Sequence, residues 1–211
     1  MANEELVVTP RFFQLFFELM KQDAWVLGEI RRDDIQPADN WLFSRPPMIP
    51  MDSAFRTTTG KPFKTLVKRG QPVDYTQAGF AGVPIGSWKT VQALNGFEGF
   101  TAFPVEIENY TQKEPWYILH FWDEVDCFDE ARSQFKVIQP DDPARPDLAG
   151  NYKSVSKTLI RPELAQGKDI FRIARLTGTI VVSEEVKRRF EDVGVTGAVF
   201  QDVTGDQKTV A

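Results

Sequence analysis

One cysteine and one histidine in 211 residues leave this chain short of the two side chains on which most nucleophile and metal chemistry draws. Cys127 has no partner for an intramolecular disulfide and rules out a four-cysteine zinc site, a usage that fits a reducing compartment. Positive charge is also in deficit: 25 Lys and Arg against 30 Asp and Glu give a net charge of -5, and the pI is about 5.1. That excludes the basic footprint by which a nucleic-acid binder displaces counterions from phosphate, and it suits a basic partner instead. No apolar stretch approaches the ~18–20 residues a membrane-spanning helix needs. The opening MANEELVVTP carries two glutamates where a secretory signal carries basic residues, so a cytoplasmic protein is expected.

What is present is material for a core. Apolar residues make up 42% of the chain and phenylalanine alone contributes 17, enough for one domain spanning residues 1–211. Thr9 and Pro10 form a helix-start pair, and RFFQLFFELMKQ after them predicts a helix over 10–21. Its apolar residues cover more than one stripe, which places it in the core or makes it the contact of a homo-oligomer. AWVLGEI reads as a strand, and residues 31–60, broken by Pro37, Pro46, Pro47 and Pro50, read as an irregular segment with one short strand at NWLFS. KPFKTLVKRG reads as a strand whose lysines make a solvated basic edge.

The most informative organisation is an internal echo. Residues 82–105, GVPIGSWKTVQALNGFEGFTAFPV, can be laid beside residues 178–203, GTIVVSEEVKRRFEDVGVTGAVFQDV. Each runs as glycine, an apolar stretch, a serine, a helical segment, Gly-apolar-x-Gly and a second extended stretch. Ser87 and Ser183 stand where an N-cap accepts bonds from unpaired amides, and Glu184 and Glu185 complement the second helix dipole. Val186, Phe190 and Val193 share one face; Gly194 fits the left-handed stop, with Val195 packing back on Phe190, and Gly197 closes the pattern. Neither serine sits in a nucleophile elbow, so both read as structural.

Residues 120–135, HFWDEVDCFDEARSQF, gather the lone histidine, the lone cysteine and five acids. EPWYILHFW before them reads as a central strand buried on both faces, with His120 hydrogen-bonded in the core. His120, Asp123, Asp126 and Asp129 recur every third residue, yet there is no second histidine and no calcium-loop glycine, so no metal or cofactor is assigned. A Cys127–His120 nucleophile is disfavoured because neighbouring carboxylates raise a thiol pKa. Paired carboxylates for a hydrolase can be drawn from Asp123, Asp126 and Asp129. Asp123, Glu124, Glu130, Asp141 and Asp142 instead suggest an acidic surface able to cover a basic groove, as on a nuclease.

Several blocks in this order resemble the family-eleven immunity proteins of bacterial polymorphic toxin systems. They are FELMKQDAWVLGEI, VDYTQAGFAGVPIGSWKTVQAL, WYILHFWDEVDCFD with VDCFDEARSQF, GNYKSVSKTLI, and DIFRIARLTGTIVVSEEVKRRFEDVGVTGAVFQDV, spanning residues 17 to 203. The resemblance implies a protein without catalytic residues that blocks a toxin by binding it in the producing cell. Asp126, Cys127, Asp129 and Ser133 are then expected to hold a corner of the fold, with aspartate and serine side chains satisfying backbone amides. The expected fold is α+β, a mixed or antiparallel sheet with helices at 10–21, 88–95 and 184–193 and two similar strand-helix-strand units. A small hydrolase or metal-dependent enzyme using residues 120–130, and an effector adaptor, are the competing functions.

Overall fold

The computed structural model describes residues 10–18, 23–32, 43 and 62–205. Among these, one five-stranded sheet comprises β1 (Phe12–Phe17), β8 (Glu124–Val125), β11 (Ile170–Ile173), β12 (Leu176–Ser183) and β13 (Ala198–Asp202), in the order β13-β1-β12-β11-β8. A closed barrel comprises β2 (Val26–Leu27), β3 (Phe63–Arg69), β4 (Tyr75–Ala78), β5 (Val83–Ser87), β6 (Phe100–Glu108) and β7 (Trp116–Phe121), in the order β2-β3-β6-β7-β5-β4. A ribbon of β9 (Gln134–Val137) and β10 (Tyr152–Lys157), two α-helices, α1 (Trp88–Leu94) and α2 (Glu184–Val193), and two short 3-10 helices, Pro146–Leu148 and Pro162–Ala165, complete the described α+β structure.

Both echoed stretches fold as strand, helix, strand, and the chemistry around them is paired. The side-chain oxygens of Ser87 and Ser183 accept from the backbone N–H of Thr90 and Val186. Each serine hydroxyl also donates to an aspartate at the start of the preceding hairpin, Asp74 at 3.0 Å and Asp169 at 2.7 Å. Each serine N–H donates to that aspartate's carbonyl at 2.8 Å. Gly194 is left-handed at φ 72°, and its N–H and that of Val195 reach Glu191 and Phe190, so α2 ends in a full Schellman stop. Val186 and Phe190 are buried, whereas Val193, expected on the same face, is 39% exposed.

The two strands of each unit do not pair with each other. In the first, β7 lies between β5 and β6 and is antiparallel to both; in the second, β1 takes that place between β12 and β13. The equivalence extends to single bonds: Trp122 N–H donates to Gly99 where Glu18 N–H donates to Gly197. The stretch expected to be a helix over 10–21 is therefore a strand, Phe12–Phe17, inserted into the middle of a sheet. Phe13 and Leu15 face α1 and α2, while Phe12 packs with Phe171, Cys127 and Val203 on the other side. A strand covered on both faces has the same all-round apolar composition as a buried helix, which is why periodicity misled. A dimer through a Phe-rich helix falls with that helix. Thr9, residues 19–22 and nearly all of the 31–60 segment, NWLFS apart from Phe43 included, lie outside the described residues.

KPFKTLVKRG does form a strand, β3, but not an edge, because it pairs antiparallel with β2 and parallel with β6 as the barrel closes. The barrel holds its own core of Trp25, Leu27, Ile30, Phe43, Phe63, Ile85, Trp116 and Ile118. A second core lies between barrel, helices and sheet, and includes Tyr75, Leu94, Leu119, Phe121, Ile180 and Phe190.

Candidate functional site

Buried polar groups call for partners, and those found around residues 120–135 bear on what the cluster can do. β7 ends at Phe121 and the chain turns into β8, whose two residues pair parallel with Arg172 and Ile173 of β11. Arg172 N–H donates to the Asp123 carbonyl and Ala174 N–H to that of Val125, so the corner is stitched to the sheet. Cys127 is fully buried among Phe12, Phe128, Tyr152 and Phe171, and its carbonyl accepts from Arg161 N–H. Burial, reinforced by the Asp126 charge, pushes its thiol up to about 12, so it stays protonated and unreactive.

The carboxylates are largely spent within the chain. Asp123 accepts from Lys168 Nζ at 2.8 Å and from Glu124 N–H at 3.0 Å. Asp129 accepts from Arg132 Nε at 2.6 Å and from Arg132 N–H at 3.0 Å; burial works to raise its pKa, but these bonds win and hold it below the usual carboxylate range. Glu130 accepts from Tyr152 Oη and Arg175 Nη2, which lower it likewise. Asp142 accepts from Lys153 Nζ at 2.5 Å and from the N–H groups of Ala144 and Arg145, and is brought down to about 2. Glu124, Asp126 and Asp141 are exposed and make no side-chain ion pair among the described residues. Ser133 Oγ donates to the Leu159 carbonyl and accepts the Leu159 N–H, substituting for a missing rung of backbone pairing.

A cleft of about 320 Å³ opens beside this corner, between Asp126, Asp129 and Glu130 on one side and Arg161 and Arg175 on the other. No group of three or more candidate metal ligands comes together among the described residues. Asp123 and Asp129 are already paired with Lys168 and Arg132.

His120 points away from this cleft, towards the barrel side of β7 with Trp116 and Ile118. It has no solvent exposure; Nδ1 lies 3.4 Å from the Phe43 carbonyl and Nε2 has no hydrogen-bond partner among the described residues. The same Phe43 carbonyl accepts from Arg172, whose buried guanidinium makes no ion pair among the described residues and donates also to the carbonyls of Phe121 and Thr177. Burial drives His120 down to about 4, with the Phe43 carbonyl opposing the shift and Arg172 adding to it. Nothing in the sequence marks Arg172 beyond one cation inside the apolar run IFRI, nor Phe43 as its acceptor.

His120, buried in β7, thus lies apart from Cys127 and from the acids of the corner. No helix among the described residues is long and apolar enough to cross a membrane. No curated protein matches the chain. The model of the Immunity protein family (Imm11) does match, over residues 17–205, a range that contains both strand-helix-strand units, the barrel and the Cys127 corner. With nearly its whole length covered, the chain belongs to the Imm11 immunity protein family.

Proposed function

We propose that this protein neutralises a cognate bacterial toxin, of the kind encoded in polymorphic toxin systems, by binding it in the cell that produces it. The family match over residues 17–205 carries the reading. The partners of the acidic corner favour a binder over a hydrolase: of the three carboxylates a hydrolase would draw on, Asp123 and Asp129 are held by Lys168 and Arg132, which leaves Asp126 without a second carboxylate free of ion pairs or hydrogen bonds to work with, and Cys127 is buried in the core. An acidic surface made of Asp123, Glu124, Glu130, Asp141 and Asp142 remains one proposal for the contact. It rests chiefly on Glu124 and Asp141, since Lys168, Arg175 and Lys153 neutralise the other three locally. Co-expression tests the function: a bacterial host producing the toxin encoded beside this gene should grow when this protein is made with it. Continued killing at equal toxin levels, with the protein folded and abundant, would refute it.

A further inference from the structure

The two-stranded ribbon of β9 and β10 carries positive charge that the fold does not neutralise. Its inner face, with Phe135, Val137, Tyr152 and Val155, packs on the core around Cys127 and Phe128. Its outer face sets Lys136 directly opposite Lys153, and Gln134 directly opposite Lys157, all four exposed. Opposite residues of an antiparallel pair project to the same side, so the three lysines share one face. Asp142 accepts from Lys153 Nζ at 2.5 Å, and its other bonds are from the N–H groups of Ala144 and Arg145. The side chains of Lys136 and Lys157 make no ion pair or hydrogen bond among the described residues.

The backbone is bent to hold this arrangement. The register shifts between Lys153 and Lys157, where four residues of β10 span what two residues span on β9. In an unbroken strand Val155 would share the outer face with Lys153 and Lys157. The bulge turns Val155 towards the core and returns Lys157 to the face of Lys136. It is made by Ser154 in the left-handed region at φ 52°. Arg175, whose carbonyl accepts the Tyr152 N–H, is left-handed as well, at φ 63°. The remaining non-glycine residue at positive φ among the described residues is Asn109, of a type that tolerates this region. Backbone strain of this kind gathers at binding sites, where surrounding contacts hold it.

Like charges directly opposite each other destabilise a strand pair, so Lys136 facing Lys153 weakens the ribbon of the isolated protein. A surface that lowers stability is the mark of a trade-off with function. Its charge also defines the partner. Lys136 and Lys157 stand diagonally across the ribbon, roughly 7–8 Å apart at the backbone, and are matched by two carboxylates at similar spacing. A nucleic acid fits less well, because two free ammonium groups on a chain of net charge -5 supply few phosphate contacts.

Resting on the immunity reading above, we infer that the outer face of the β9-β10 ribbon is a toxin-binding surface. It takes an acidic segment of the toxin, whose carboxylates pair with Lys136 and Lys157. Such pairs set register and speed association, and their contribution falls as salt screens them.

The test uses the full chain and the purified toxin encoded beside its gene. Affinity is measured at low salt, where the Debye length is ~30 Å, and near 1 M, where it is ~3 Å. The double variant Lys136→Glu, Lys157→Glu should bind ~30-fold or more weakly at low salt and only a few-fold more weakly near 1 M. Its melting temperature should stay at or above the wild-type value, because a glutamate then stands opposite Lys153. The pair Glu124→Lys and Asp141→Lys should leave affinity unchanged. If wild type binds and the folded lysine variant binds equally well at both salts, the surface is wrong and the immunity reading stands. If wild type does not bind, the immunity reading falls and the surface with it. Weaker binding accompanied by a lower melting temperature would make the lysines structural and overturn the surface. Retention of a DNA duplex by wild type but not by the variant, with toxin affinity equal in both, would assign the ribbon to phosphate instead.

Discussion

Acid should destabilise this protein through His120 as pH falls from 7 towards 4.5. His120 is fully buried beside the Arg172 guanidinium, and its pKa falls from an ordinary 6.5 to about 4. A base whose folded pKa is depressed binds more protons in the unfolded chain, so its contribution is full above 6.5 and is lost as pH falls towards 4. With those two values, lowering pH from 7.5 to 4.5 costs about 2.5 kcal/mol, at about 1.4 kcal/mol per pKa unit. For a chain of this size that corresponds to a drop of roughly 5–10 °C in melting temperature. The perturbation that isolates it is His120→Gln, which cannot take up a proton at these pH values. Melting temperatures of both proteins across pH 7.5 to 4.5 decide the matter. The wild-type curve should fall through the window relative to the variant and run parallel to it above pH 7. Parallel curves throughout would mean that His120 titrates normally, and the buried His120–Phe43–Arg172 arrangement would be refuted.

Three further outcomes follow from named contacts. Asp74 accepts from Thr196 N–H at 2.9 Å, Thr196 Oγ1 at 2.7 Å, Ser87 Oγ at 3.0 Å and Lys89 Nζ at 3.1 Å. Asp74→Ala should therefore cost about 3 kcal/mol in urea unfolding, and a change below about 0.5 would show these bonds to be idle. Gly99 and Gly197 lie where a Cβ would stand 2.2 and 2.3 Å from the carbonyls of Ile170 and Tyr75, so either mutated to Ala should cost well over the ~1–2 kcal/mol of left-handed strain alone. Gly96→Ala, at φ 90° with nothing within 4 Å, supplies the comparison, and equal costs at all three sites would remove the packing argument. Cys127→Ser should cost about 1–3 kcal/mol in thermal melts, and the native thiol should resist a thiol reagent until the protein unfolds; rapid labelling of the folded protein would contradict its burial.

What the sequence disclosed was local chemistry. Ser87 and Ser183 before helical stretches, Glu184 and Glu185 in a first turn, and Gly194 at a stop each act within a few residues, so both helices and their flanking strands were readable. What it concealed was long-range. β1 belongs to the second unit although the rest of that unit begins at Ile170, and nothing in FFQLFF specifies pairing with Val181 and Val199. The barrel closes through the parallel pairing of Phe63–Leu66 with Val105–Glu108, which leaves alternation unchanged and therefore unmarked. At the corner, the run of acids was visible, but Lys168, Arg175 and Lys153, which occupy them, come from other elements and determine their role.

The central claim, neutralisation by binding, is tested most directly by titrating the toxin's own activity with purified protein. Inhibition should rise linearly to an end point at a fixed molar ratio, reach it without dependence on incubation time, and reverse when the complex is separated. Substoichiometric protein that destroys toxin activity progressively would show catalysis, and activity unaffected at molar excess would show that the two proteins are not partners.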